Sequence, residues 1–136
     1  MVNRIISKLD CQRLKERVEQ AKTNDKISPL QVINLLRGID AATLLDPVKM
    51  PRNVVTMRSV VTLEYVETGR KLDVCLVYPE EADSTQNRIS IFAPLATALF
   101  GYKQGAIISL PTPFGSVNVR ISQILYQPEA AGDLTN

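Results

Sequence analysis

Up to the prolines at 47 and 51 the apolar residues recur every three or four positions, and beyond them they alternate, so the chain reads as a helical part followed by a strand-rich part. In the first part Cys11, Leu14, Val18 and Ala21 form one stripe, with Arg13, Glu16, Arg17 and Glu19 turned largely away from it. Asp10 is the expected N-cap. Thr23-Asn24-Asp25-Lys26 supplies turn chemistry, and Ser28-Pro29 is a cap and first-turn pair that starts a second helix. That helix carries Leu30, Val32, Ile33, Leu36 and Ile39; Gly38 weakens its middle, and Ala41, Ala42, Leu44 and Leu45 extend it toward Asp46-Pro47. Two helices joined by so short a turn lie antiparallel, which predicts a helical hairpin over residues 1–48.

Beyond Pro51, Val61, Leu63 and Tyr65 share one face of a strand, Glu67-Thr68-Gly69-Arg70 turns the chain, and Leu72, Val74, Leu76 and Tyr78 return along a second strand. Residues 80–87 are polar and loop-like. Arg88 to Phe92 adds a strand, Leu95 to Phe100 a short helix, and Ala106 to Leu110 and Ser116 to Leu125 two closing strands around a turn with Pro111, Pro113 and Gly115. Val117, Val119 and Ile121 fall on one face of the last strand. Residues 49–136 are therefore expected to form a mostly antiparallel sheet with one short helix, making the whole chain α+β. The polar ending from Tyr126 to Asp133 is expected to be mobile, with Tyr126 as its anchor.

The composition narrows the function classes. With 45% hydrophobic residues in 136, the chain can bury a core without staples, and Cys11 and Cys75 stand apart with no metal-ligand or redox spacing. No apolar leader and no run long enough to span a membrane are visible, so a reduced, cytoplasmic protein is expected. Sixteen basic against 14 acidic residues leave a net charge of +2, too small an excess for a nucleic-acid surface, which points to a protein partner and to no membrane. No histidine is present to work near neutral pH, and no phosphate loop or metal-ligand spacing occurs. Glu80-Glu81 with Asp83 is the one dense acidic cluster, read as solvated loop surface. No catalytic group, metal, cofactor or small-molecule substrate is expected.

One run remains to be explained: Ser90-Ile91-Phe92-Ala93-Pro94-Leu95-Ala96-Thr97-Ala98-Leu99-Phe100-Gly101-Tyr102-Lys103-Gln104-Gly105. It resembles the Ser-Pro-Leu, Leu-Leu-Gly, Gly-Asp signature of the bacterial Gre transcript-cleavage factors, with Ala96 for the usual Gly and Ala106 for the usual Asp. Residues 50–57, Leu76-Val77-Tyr78-Pro79 and the ending 126–133 resemble the regulator of nucleoside diphosphate kinase family. The resemblance implies an FKBP-like form for the second part and RNA polymerase as the partner, docked near the secondary channel through Phe92, Ala93 and Pro94. Phe92 and Pro94 are the expected contact residues, while Leu95 and Leu99 bury the short helix.

Gre factors carry a long hairpin whose acidic tip supports a metal ion at the polymerase active centre. Here the tip offers Asp25 alone, with Lys22 and Lys26 beside it, and about 14 helical residues reach only roughly 21 Å. A regulator that does not cleave, and that affects nucleoside diphosphate kinase indirectly, is expected. Its rivals are a true cleavage factor and an FKBP-like prolyl isomerase; the second conflicts with a chain that is 5% aromatic and has no Trp.

Overall fold

The computed structural model describes residues 4–133. Strand β1 (Ile5–Ser7) leads directly into helix α1 (Lys8–Ala21), residues 22–28 turn the chain, and α2 (Pro29–Asp40) follows. Ser7, not Asp10, is the cap of α1: its hydroxyl accepts from the Asp10 backbone N–H at 2.9 Å. A serine three residues ahead satisfies that orphan donor, which frees the Asp10 side chain to turn inward. The buried stripe of α1 includes the expected Cys11, Leu14, Val18 and Ala21. Helix α2 stops at Asp40, short of the extension toward Asp46, because Thr43–Leu45 forms strand β2, paired in parallel with β1. This pairing joins segments nearly forty residues apart, and no local pattern announces it.

The second part is a five-stranded sheet of order β5-β4-β3-β7-β6. It contains β3 (Val60–Tyr65), β4 (Lys71–Val77), β5 (Arg88–Ser90), β6 (Ile107–Thr112) and β7 (Gly115–Tyr126), with α3 (Pro94–Leu99) between β5 and β6. All pairs are antiparallel except β4 with β5, which run parallel because residues 78–87 cross over between them. Val61, Leu63, Val74, Leu76, Val119 and Ile121 are buried on the alternation predicted for them. Register shifts against β3 let β7 continue to Tyr126 while it bends.

One hydrophobic cluster runs through both parts, from Ile6, Leu14, Leu35 and Ile39 to Met57, Leu76, Phe92, Leu99 and Ile121. Gly101 sits where they meet, at φ +84°; a Cβ there would lie 3.0 Å from the Arg4 Cβ. Glycine answers both demands, left-handed backbone and close approach. The C-terminal segment is tied down, contrary to expectation. Helix α4 (Pro128–Ala131) closes it, and the anchor is Gln127, whose amide donates to the Pro51 and Val54 carbonyls at 2.7 and 2.8 Å. Tyr126 stays 37% exposed, with its hydroxyl donating to Asp133 at 2.8 Å.

Candidate functional site

The loop 90–94 is held from three directions. Ser90 accepts from the Phe92 N–H at 3.2 Å, Thr97 donates its hydroxyl to the Ile91 carbonyl at 2.6 Å, and the Gln31 amide donates to the Phe92 carbonyl at 3.2 Å. Gln31 also completes a capping box with Ser28, accepting from the Ser28 N–H at 2.8 Å. A residue in the first turn of α2 thus clamps the loop of the other part. Its signal was present in the sequence as Ser28-x-x-Gln31. Pro94 is exposed, Ala93 is half-buried, and the Phe92 ring is only 2% exposed. Phe92 is therefore corrected from surface contact to core residue, because the turn at 91–93 directs its ring into the shared cluster. The accessible part of the expected site is Ala93 and Pro94.

Beneath the loop lies Arg4, which sequence reasoning missed. Its guanidinium donates to the Thr97 carbonyl at 2.7 Å and the Phe100 carbonyl at 3.3 Å, and stacks over Tyr102 at 4.7 Å. Gly38 makes room for it, since a Cβ there would come within 2.8 Å of the guanidinium. The glycine that weakens α2 is the residue that admits this clamp.

At the hairpin tip Asp25 and Lys26 are both exposed. The turn is stabilised by Thr23 donating to the Gln20 carbonyl at 3.1 Å and by Asn24 accepting from the Lys26 N–H at 2.9 Å. Lys22 pairs with Glu19 at 2.9 Å. Among the described residues no cluster of three or more potential metal ligands forms.

The acidic cluster at 80–83 is used in structure. Arg17 of α1 pairs with Glu80 at 2.6 Å and lies 4.3 Å from the centre of the Tyr78 ring, while Arg58 binds Glu81 through two nitrogens at 3.1 and 3.0 Å. The Arg17 hydrogen bond lowers the Glu80 pKa below its ordinary value. Next to this seam is a small cavity of about 70 Å³ lined by Asp10, Arg13, Arg58, Tyr78 and Glu129 among others. Asp10 accepts from the Met57 N–H at 3.2 Å, and Glu129 accepts from the Thr56 hydroxyl at 2.8 Å. Burial, reinforced by the Glu129 charge, pushes the Asp10 carboxyl up to about 7. Burial likewise raises the Tyr78 phenol.

A surface loop braced on a five-stranded sheet, behind a short helical hairpin, has counterparts among known proteins. Residues 50–126 match the family described as transcription elongation factor, GreA/GreB, C-terminal, and that is the class of domain the sheet and α3 define. A regulator of nucleoside diphosphate kinase from Escherichia coli (strain K12) is 33% identical over 131 residues, covering 95% of this chain and 93% of the relative. The transcription elongation factor GreA of Legionella pneumophila (strain Corby) is 33% identical over 116 residues, covering 83% and 72%. A solved structure of a prokaryotic GreA/GreB elongation factor from Nitrosomonas europaea superposes with a TM-score of 0.75 at 34% identity, over 91% of this chain and 100% of the other. The chain belongs to the GreA/GreB family, on the branch of the regulators of nucleoside diphosphate kinase.

Proposed function

We propose that this protein is a cytoplasmic, non-catalytic transcription regulator that binds RNA polymerase near its secondary channel without stimulating transcript cleavage. The observation that carries the reading is the pairing of a loop that exposes Pro94 beside a half-buried Ala93, braced by Gln31 and Thr97, with a hairpin tip that presents Asp25 as its carboxylate. The loop supplies the docking element implied by the family signature. The tip lacks the second carboxylate needed to hold a divalent cation, and it carries Lys22 and Lys26 instead. An influence on nucleoside diphosphate kinase follows indirectly, through transcription.

The test is a titration of cleavage rate in a backtracked polymerase complex, with and without a Gre factor. The protein alone is expected to leave intrinsic cleavage unaccelerated, and in excess it is expected to inhibit Gre-stimulated cleavage by occupying a common site. Acceleration by the protein alone would make it a cleavage factor. Saturating binding with no effect on Gre-stimulated cleavage would move its docking site elsewhere.

A further inference from the structure

Two acidic side chains from opposite ends of the chain meet at the small cavity beside the Arg17–Glu80 seam. Asp10 comes from α1 and is buried; Glu129 comes from α4 and is half-buried, with Ala130 to Asp133 beyond it exposed. Each fastens its element to the same stretch of chain. Asp10 accepts from the Met57 N–H and Glu129 from the Thr56 hydroxyl, so the two carboxyls hang on adjacent residues where little water can screen them. Their anchorage is unequal. Asp10 sits in the buried stripe of a 14-residue helix, whereas α4 is a single turn of four residues that follows the Gln127 anchor and holds the body through the Glu129–Thr56 bond. The other groups around the cavity leave the conflict in place. Arg58 is committed to Glu81 through two nitrogens, burial keeps the Tyr78 phenol protonated, and Asp133 is a further acid, accepting from the Tyr126 hydroxyl. Arg13 of α1 is the cation that draws the other way, and at Asp10 it is outweighed by burial and by Glu129.

We propose that α4 is a pH-sensitive latch: it stays closed while Asp10 carries a proton, and it opens, pivoting at Gln127, when Asp10 and Glu129 are both ionised. Two carboxylates across one small cavity repel, and the element with fewer holds is the one that leaves. The sign follows from linkage. Closing α4 brings Glu129 up to Asp10 and favours its protonated form, so ionising Asp10 favours opening by the same factor. The Asp10 pKa of about 7 puts the transition near neutral pH, with the latch closed below it and loosened above. Opening is local: β3 and β7 keep their pairing while α4 lets go.

Three amides report on α4: those of Ala131, Gly132 and Asp133, which donate to the Gln127, Glu129 and Pro128 carbonyls. The experiment measures their NMR order parameters in the full chain between about pH 5.5 and 8, alongside a carbon-13 titration of the Asp10 carboxyl. In the parent these amides are expected to pass from rigid, near about 0.85, to below about 0.6 as pH rises, while amides of β3 and β7 stay rigid. Asp10→Asn should hold α4 rigid throughout. Glu129→Gln keeps an acceptor for Thr56, so it should also remove the pH dependence, and it should lower the Asp10 midpoint because the neighbouring charge is gone. Should Asp10→Asn unfold, Glu129→Gln, at a half-buried position, decides alone. Order that is flat with pH in the parent, or that falls equally in the parent and in Glu129→Gln, overturns the latch, as does an Asp10 midpoint that Glu129→Gln leaves unmoved. Loss of order shared by α4 and the sheet overturns it too, since the event is then global unfolding.

Discussion

At the residue scale the main surprise is a carboxyl inside the core. Asp10 is 4% exposed, faces Glu129 and Tyr78 across the small cavity, and has Arg13 on its own helix. Its folded pKa of about 7 stands above the ordinary value of 3.8, so the folded chain holds this proton more tightly than the unfolded one. Below pH 3.8 both states are protonated and the full contribution is present. Between there and about 7 the unfolded chain loses the proton first, and stability falls by up to about 1.4 kcal/mol per pH unit before levelling off. Asp10→Asn keeps an acceptor for the Met57 N–H and removes the titration. Urea unfolding from pH 4 to 8 should show the parent losing stability relative to the variant as pH rises. Parallel curves for the two proteins would mean that Asp10 does not carry this proton. The same position shows how a residue is misread from sequence: aspartate near a helix start looks like a cap, and Ser7 three residues earlier takes that role.

At the element scale, α2 and the loop 90–94 behave as one unit because Gln31 serves both. Its side-chain oxygen caps the helix while its amide nitrogen holds the Phe92 carbonyl. Gln31→Ala removes both bonds and is expected to lower stability by about 1–2 kcal/mol. Gln31→Glu keeps the cap but sets a carboxylate against a carbonyl, so amide exchange in residues 90–94 should quicken while helix content holds. A Gln31→Ala variant within about 0.3 kcal/mol of the parent would show that the bridge is negligible. A comparable bargain is visible at Gly38. The glycine forgoes roughly 1 kcal/mol of helix propensity relative to alanine, and the charge-assisted bonds it permits Arg4 are worth about 1.5–3 kcal/mol each, so the clamp outweighs the helix penalty.

At the scale of the whole molecule, all five strands of the main sheet lie after Met50, yet Ile6, Leu14, Leu35 and Ile39 belong to the same hydrophobic cluster as Leu76, Phe92 and Ile121. We propose residues 1–48 and 49–136 as separate units of sequence that share this core. A fragment from Met50 onward should keep dispersed sheet resonances, since every strand pair of the main sheet lies within it, but it should be several kcal/mol less stable and bind apolar dyes. A fragment without dispersed resonances would make the hairpin indispensable to the fold. By itself the sequence determined what depends on local period and chemistry: the helical hairpin, the change at Pro47 to Pro51, the buried faces of α1, β3, β4 and β7, and the Pro94-started helical turn after the loop 90–94. Only the tertiary structure decided what depends on distant partners. It paired Thr43–Leu45 with Ile5–Ser7, turned Phe92 inward, tied Gln127 to Pro51 and Val54, and set Asp10 opposite Glu129. The division is physical, because a side chain's period along the chain states which face it occupies, whereas the partner it meets there depends on how the chain folds back.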